Sequence, residues 1–218
     1  MKRIALLHTV SSVLEGFEPQ LRAAIQGELK VHNVLDDFLA TDPAETGIFS
    51  DVNKQRLAND LRNCELTGAD IIVSTCSTLT PTIAILRGSF RVPVVAIDDA
   101  MCTRAAALGS RILVLATARS TIEPTSSNIR LQATSLGKSV ELEQMSSLAA
   151  FSAMKAGDMA THDHLVEAMA RRATGFDLIV LAQASMAHLS EHLSAVCGVP
   201  VLGSTPLCLE EIRTILTR

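Results

Sequence analysis

Aromatic residues are the scarcest class in this chain of 218 residues, which has six Phe, no Trp and no Tyr. A surface that stacks nucleic-acid bases on Trp or Tyr rings is therefore excluded, and so is any chemistry that needs a Tyr hydroxyl. The net charge of −4 leaves no basic footprint for a phosphate backbone. We therefore expect no nucleic-acid partner.

Long apolar runs and paired cysteines are also missing. No run approaches the ~18 apolar residues of a membrane span, and the basic and then apolar start, Met1–Leu7, ends too early for a signal peptide. We expect no membrane partner and interpret this start as a first strand. The five cysteines are odd in number and form no C-x-x-C pair, which argues against a disulfide framework and a zinc site. The expected compartment is a reducing cytoplasm.

Strand-like and helix-like segments alternate along the chain, which is 48% apolar and 19% charged. The strand-like runs are continuously apolar, as in parallel strands that are buried on both faces. They are Ile4–Leu7, Val31–Leu35, Ile71–Val73, Val92–Ile97, Ile112–Ala116, Leu178–Leu181 and Val199–Leu202. The predicted helices are Glu18–Gly27, Val52–Thr67, Pro81–Arg87, Met101–Leu108, Thr121–Leu136, Asp158–Thr174 and Met186–Val196. This alternation predicts an α/β fold with doubly wound parallel sheets and ligands at the carboxyl ends of the strands.

An internal repeat divides the chain. The matching segments are Asp70–Val73 with Asp177–Val180 and Val92–Val95 with Val199–Leu202, both at an offset of 107 residues, and Arg3–Thr9 with Arg111–Thr117 at 108. Three matches in the same order predict a duplication into two pseudo-symmetric domains. The expected domains are residues 1–100 with a C-terminal helix at 205–218, and residues 101–204, with the active site in the cleft between them.

Cys76 is the main candidate for chemistry, because it stands where a predicted strand turns into a helix. Backbone N–H groups and the dipole at a helix N-terminus stabilise a thiolate. The same N–H groups, with the Ser77 and Thr78 hydroxyls, could hold a substrate carboxylate. The alternative is a small buried residue, which is the prediction for the other cysteines: Cys64, Cys102, Cys197 and Cys208.

The block Ala69–Thr78 resembles the first-cysteine motif of the aspartate/glutamate racemase superfamily. The block Ile112–Thr121 resembles the strand and hydroxyl loop of that family's second domain. The resemblance implies a pseudo-symmetric two-domain enzyme without a cofactor. It implies thiol-mediated proton transfer at the α-carbon of a small carboxylate or amino acid, with substrate contacts from Ser77, Thr78, Thr117 and Thr121. A homodimer is consistent with the same resemblance.

The second half departs from the two-cysteine pattern of that family. The repeat places Gln183 opposite Cys76. An amide cannot act as a general base, so we interpret Gln183 as a hydrogen-bond donor to a substrate oxygen or enolate. Ser185 could serve as a base only with an activating neighbour. His8, at the tip of the first strand, is either the second base, a substrate contact or a structural histidine.

The remaining candidates are weaker. Thr9 follows the first strand and is a candidate substrate contact, whereas Arg56 is either a bidentate carboxylate clamp or a solvated helix residue. Asp98 and Asp99 either orient a loop or cap a helix that begins at Met101, and we expect the cap. The string His188–His192 fits an H-x-x-E-H metal motif, but we interpret it as a packed helix and expect no metal. His162–His164 is interpreted as a solvated surface.

Three functions remain open at this stage. Racemisation, epimerisation or isomerisation of a small carboxylate is the leading hypothesis. The second is a cofactor-free decarboxylase or other lyase, because one thiol is enough to protonate an enolate from one side. The third is a non-catalytic protein that binds a small carboxylate.

Overall fold

The computed structural model describes residues 1–217, which form two compact units. Unit 1 consists of Met1–Asp99 together with the segment that begins at Thr205, and unit 2 consists of Ala100–Ser204. Within residues 1–217, no helix has both the length and the apolar character that crossing a bilayer requires.

Unit 1 has a parallel sheet of four strands. They are β1 (Lys2–His8), β2 (Leu29–Leu35), β3 (Ile71–Ser74) and β4 (Val94–Ala96). Their order in the sheet is β2-β1-β3-β4. Every residue of β3 and β4 is buried, whereas β2 at the edge is partly exposed along its length. The apolar runs of β1, β3 and β4 are therefore buried, as expected for a sheet covered on both faces.

Unit 2 repeats this sheet. Its strands are β5 (Arg111–Ala116), β6 (Glu141–Ser146), β7 (Leu178–Leu181) and β8 (Val201–Gly203). Their order is β6-β5-β7-β8, again all parallel. The predicted α/β class with two parallel sheets is therefore confirmed. The cleft between the halves stays a prediction.

Helices follow the strands in both halves. They are α1 (Ser11–Ala24), α2 (Phe38–Thr46), α3 (Asp51–Leu66), α4 (Thr80–Leu86), α5 (Asp99–Leu108), α6 (Ile122–Ser135), α7 (Leu148–Lys155), α8 (Met159–Ala170), α9 (Ser190–Cys197) and α10 (Ser204–Leu216). Short 3₁₀ segments at Ser77–Leu79 and Ala184–Leu189 precede α4 and α9. Each unit thus has a strand, a tight turn and then a helix at the edge where chemistry is expected.

The duplication extends to individual hydrogen bonds. In unit 1, Asp70 Oδ2 accepts the N–H of Arg3 at 2.8 Å. In unit 2, Asp177 Oδ2 accepts the N–H of Arg111, also at 2.8 Å. The residue before each third strand therefore fastens the start of the neighbouring first strand in the same way in both halves.

Three elements are absent from the sequence prediction: α2, β6 and α7. The sequence of β6 is polar, and most of its residues are exposed or half-buried at the sheet edge, so an apolar-run criterion passes over it. The predicted start of the first helix is also wrong. Helix α1 begins at Ser11 and contains Pro19 well inside it, because Phe17 and Leu21 bury the same face on either side of the proline.

Candidate functional site

Cys76 lies at the carboxyl edge of the unit 1 sheet, between β3 and the 3₁₀ turn Ser77–Leu79. Its backbone is extended, and its carbonyl accepts the N–H of Leu79 at 3.1 Å. The N–H groups of Ser77 and Thr78 precede that first bond and point out of the turn's start. The thiol is partly exposed and packs against the apolar core of unit 1. The thiol can therefore contact a ligand on its exposed side, while the core shields its other side from water.

The other cysteines differ from Cys76 in burial. Cys64, Cys102 and Cys208 are fully buried, as predicted for core residues. Burial raises the pKa of the Cys64 thiol to about 12 and also raises the pKa of Cys208. Cys197, at the end of α9, is partly exposed. It therefore offers a matched control for experiments on Cys76.

The two hydroxyls after Cys76 differ in exposure. Ser77 is buried and Thr78 is partly exposed. Neither side chain makes a hydrogen bond to another of the described residues. Their hydroxyls are therefore not committed elsewhere, and their predicted role in substrate binding stays a prediction.

His8 is buried at the end of β1, and both of its ring nitrogens have partners. Nε2–H donates to Asn33 Oδ1 at 3.1 Å, and Nδ1 lies 2.8 Å from the Thr75 hydroxyl, which is also 3.3 Å from the carbonyl of Leu7. Asn33 in turn donates to Glu18 Oε2 at 2.5 Å. Burial lowers the pKa of His8 and favours the neutral ring. This arrangement matches a structural histidine, and its role as a second base stays a prediction.

Gln183 stands at the corresponding edge of unit 2, before the 3₁₀ segment Ala184–Leu189. Its Oε1 accepts the N–H of Thr117 at 2.5 Å, the N–H of Ala118 at 2.8 Å and the Thr117 hydroxyl at 3.1 Å. Because a backbone N–H can only donate, these bonds identify the atom as the oxygen. Nε2 has no partner within residues 1–217. The amide is thus locked in one orientation and presents two free N–H bonds.

This lock was not foreseen in the sequence, although the repeat did place Gln183 opposite Cys76. The Thr117 side chain, predicted to bind substrate, is engaged with Gln183. The Thr121 hydroxyl donates to the carbonyl of Ala118 at 2.9 Å and so closes the same loop. The loop after β5 is therefore held by the protein's own groups, and direct substrate contacts from Thr117 and Thr121 stay predictions.

An open recess of about 360 Å³ lies beside this loop within unit 2. It is lined by Arg119, Ile122, Glu123, Gln144 and Ser146. The recess is at the lower end of the size range for small-ligand sites. Its lining carries a cation, an anion and two neutral polar groups, which suits a small polar molecule better than a large planar one.

The last candidates are Arg56, Thr9 and Ser185. Arg56 Nε donates to Asp36 Oδ2 at 2.5 Å, and Arg56 Nη2 donates to Asp36 Oδ1 at 3.1 Å. The guanidinium would have to break both bonds to bind a substrate. Thr9 is buried, and Ser185 is partly exposed. Among the described residues, no basic side chain forms a hydrogen bond with the Ser185 hydroxyl. The roles of all three stay predictions.

The H-x-x-E-H string lies where the 3₁₀ segment passes into α9. His188 Nε2 meets Asp163 Oδ2 at 3.0 Å, and His192 Nε2 meets Glu167 Oε2 at 2.8 Å, so both rings pair with carboxylates of α8. No group of three or more potential metal ligands occurs in the described part of the chain. The prediction of a solvated surface at His162–His164 is wrong for His162. That ring is fully buried, because α8 turns it toward the interior.

Two acidic residues after β4 also differ from expectation. Helix α5 begins at Asp99, not at Met101, and Asp99 Oδ2 accepts the N–H of Ala96 at 2.9 Å. Asp98 is fully buried and receives a hydrogen bond from Thr80 Oγ1 at 2.5 Å. From the sequence, Asp98 is expected to cap a helix, with the orientation of a loop as the alternative. The signal for more was the pair of adjacent carboxylates directly after an apolar strand.

The model of the Asp/Glu/Hydantoin racemase family matches residues 7–212. The chain belongs to this family. Comparison with curated proteins gives no match.

Solved structures of racemases and of a decarboxylase share the fold. A putative Asp/Glu racemase from Yersinia pestis has a TM-score of 0.76 and 16% identity, and covers all of both chains. A glutamate racemase from Bacillus anthracis has a TM-score of 0.73 and 15% identity, over 99% of this chain and 82% of that one. Unliganded arylmalonate decarboxylase has a TM-score of 0.64 and 14% identity, over 99% and 92%.

Proposed function

We propose that this protein is a cofactor-independent enzyme in which the Cys76 thiol transfers a proton at the carbon next to the carboxylate of a small acid. Three observations support the proposal. The chain belongs to a family of racemases, Cys76 stands partly exposed at the carboxyl edge of a parallel sheet, and the two N–H groups that follow it have no backbone partner among the described residues. Such N–H groups suit a carboxylate, which would set the adjacent carbon beside the thiol.

The difference between the two halves carries the proposal further. At equivalent positions, unit 1 has the thiol of Cys76 and unit 2 has the amide of Gln183, whose oxygen already accepts three hydrogen bonds. An amide neither takes up nor gives a proton at neutral pH. Gln183 therefore cannot be the second proton-transfer group, and we propose that Cys76 acts from one face of the substrate. The leading form is an isomerase in which the same thiol removes a proton and returns it at a neighbouring carbon, because return to the same carbon from the same face would regenerate the substrate.

A decarboxylase is the second candidate, and the fixed Gln183 amide favours it. Loss of carbon dioxide leaves an enediolate, which takes one proton from the Cys76 thiol and so needs no second acid. The thiolate then regains its proton from water. The two free N–H bonds of Gln183 would donate to the oxygen on which negative charge develops. A donor held in place before the reaction stabilises such a charge strongly.

Heavy water separates these functions. The protein is incubated with a panel of small amino, hydroxy and dicarboxylic acids and 2-substituted malonic acids, followed by NMR and by carbon dioxide release. Deuterium uptake without carbon dioxide indicates an isomerase, and carbon dioxide with one deuterium in the product indicates a decarboxylase. Cys197→Ser serves as the matched control for Cys76→Ala. Ligand binding without turnover, unchanged by Cys76→Ala, would overturn both proposals in favour of a non-catalytic binder.

A further inference from the structure

A fully buried carboxyl group lies beside the turn that carries Cys76. In the ladder between β3 and β4, Ser74 pairs with Ala96, and the N–H of Ile97 donates to the carbonyl of Ser74 at 2.9 Å. Asp98 comes next along the chain and is fully buried. It therefore lies just past the end of β4, on the edge where the neighbouring strand runs into Cys76.

A single side-chain bond connects Asp98 to that turn. Thr80 Oγ1 donates to Asp98 Oδ1 at 2.5 Å. Thr80 is the first residue of α4 and directly follows the 3₁₀ turn Ser77–Leu79, which Cys76 precedes. Asp98 Oδ2 is buried and has no hydrogen-bond partner among the described residues. A buried carboxylate oxygen without a donor strongly disfavours the ionised form.

The charges around Asp98 also favour its neutral form. The carboxylate of Asp99 opposes ionisation, and the Arg87 guanidinium favours it but is paired with Asp99 at 2.9 Å. Helix α10 contributes the buried Cys208 thiol, and the negative charge of Asp98 helps to raise the pKa of that thiol. Burial is the largest effect and raises the pKa of Asp98 to about 7. The residue is therefore neutral in mild acid and becomes charged as the pH rises through the neutral range.

The second half lacks this pair. The offset of 107 residues that relates Cys76 to Gln183 also relates Thr80 to Ala187 and Asp98 to Thr205. Unit 2 nevertheless builds the same strand, turn and helix. The fold therefore does not require an acid and a hydroxyl at these positions. The pair occurs in the half that carries the thiol.

We propose that Asp98 is a positioning residue for Cys76: as a neutral acid it holds, through Thr80, the turn that presents the thiol, and its ionisation impairs proton transfer by that thiol. The inference rests on the proposed function of Cys76. A negative charge under the turn opposes formation of the thiolate through space.

Alkylation of Cys76 by iodoacetamide tests the proposal without any substrate turnover, so a wrong assignment of the reaction would leave this result intact. The measurement uses a Cys197→Ser background, in which Cys76 is the one partly exposed cysteine. The alkylation rate is measured from about pH 5 to about pH 9, an interval that includes the ordinary pKa of thiols and the raised pKa of Asp98. The expected curve has two inflections, one from the thiol and one from Asp98.

Three variants and a control test whether the neutral inflection comes from Asp98. Asp98→Asn should remove the neutral inflection and raise the alkaline rate about threefold to tenfold, because a nearby negative charge is gone. Thr80→Val should move the inflection to higher pH, since the ionised form loses its one donor, and Thr80→Ser should restore it. Thr82→Val is the matched control, because Thr82 is buried in the same helix and makes no bond to Asp98.

Two results would overturn the proposal. The first is a folded Asp98→Asn protein whose rate curve is the same as that of the parent. The second is a Thr80→Val curve that matches the Thr82→Val curve. If Asp98→Asn does not fold, as judged by circular dichroism, the comparison of Thr80→Val with Thr80→Ser decides the question.

Discussion

Unit 1 and unit 2 share a strand order, a parallel ladder and the hydrogen bond between an Asp before the third strand and an Arg in the first. They differ in the side chains at the carboxyl ends of those strands. Unit 1 places His8, Cys76 and Asp98 there. Unit 2 places Ala116 and Gln183 at the positions that the repeat makes equivalent, and the third equivalent residue, Thr205, begins the C-terminal segment of unit 1. The duplicated scaffold is thus retained while the chemistry at its edge differs.

The difference shows how the same scaffold accommodates a thiol in one half and an amide in the other. In unit 2 the side chain that replaces the thiol fills the loop after β5 with its own oxygen. The N–H groups of Thr117 and Ala118 are therefore satisfied by the protein. In unit 1 the N–H groups of Ser77 and Thr78 have no backbone partner within residues 1–217. An active half and a fixed, hydrogen-bonding half is the arrangement that we expect for one-sided proton transfer.

The largest effect is expected from removing the thiol of unit 1. Cys76→Ala should lower turnover by about 10²–10⁴-fold, the usual contribution of a positioned proton donor. Cys197→Ser should leave turnover unchanged, because that thiol lies at the far end of α9. Steady-state rates on the substrate found in the heavy-water screen check this. Equal rates for Cys76→Ala and the parent would end the comparison between an active and a fixed half.

Gln183→Glu sharpens the comparison from the other side. The carboxylate can accept the same bonds from Thr117 and Ala118 but has no N–H bonds to offer. We expect stability to be kept and turnover to fall by about 10²–10³-fold, as when one oxyanion donor is removed. Thermal unfolding checks the stability and kcat checks the turnover, both measured on the same sample. A variant that keeps full turnover would show that the free amide does not act on the substrate.

Asp98→Asn should change how stability depends on pH. Burial raises the pKa of Asp98 to about 7, so the folded protein holds this proton more tightly than the unfolded chain. Its stabilising contribution is complete in acid and is lost as the pH rises toward and through the neutral range. Asn does not titrate, so the parent should lose about 2–3 kcal/mol relative to the variant between about pH 5 and pH 8. Urea unfolding at the two pH values measures this, and a constant difference would contradict it.

The smallest effect concerns the feature that the halves share. Asp70→Ala and Asp177→Ala each remove a carboxylate that accepts the N–H of an Arg in the first strand of its unit. We expect small and similar decreases in melting temperature and no change in turnover. Differential scanning calorimetry checks the prediction. A large loss of activity from either variant would mean that this hydrogen bond between Asp and Arg does more than hold the two strands together.

The sequence predicted the parallel sheets well because their inner strands are continuously apolar, and it predicted the equivalence of Cys76 and Gln183 from the repeat. It could not predict β6, whose polar edge sequence carries no strand signal. It also could not predict the lock on Gln183. Hydrogen bonds between side chains and a distant loop depend on the tertiary fold, and the separation of Thr117 from Gln183 in the chain gives no local pattern.

The buried Asp98 was missed for a related reason. Adjacent Asp residues before a helix usually indicate a cap, but the bond that Asp99 accepts from the N–H of Ala96 joins it to β4 rather than to its own helix. Both carboxylates are buried, and the group that each of them meets depends on the strand phase at the end of β4. That phase becomes visible only with the ladder register of Ser74 and Ala96.

The stereochemistry of deuterium uptake tests the central claim most directly. The reaction is run in heavy water, and the configuration of the labelled carbon is read by NMR with a chiral reagent. One-sided transfer by Cys76 predicts label in a single configuration, and no label with Cys76→Ala. Equal label in both configurations from the parent enzyme would contradict the account, because it would require a second acid–base group where the structure has Gln183.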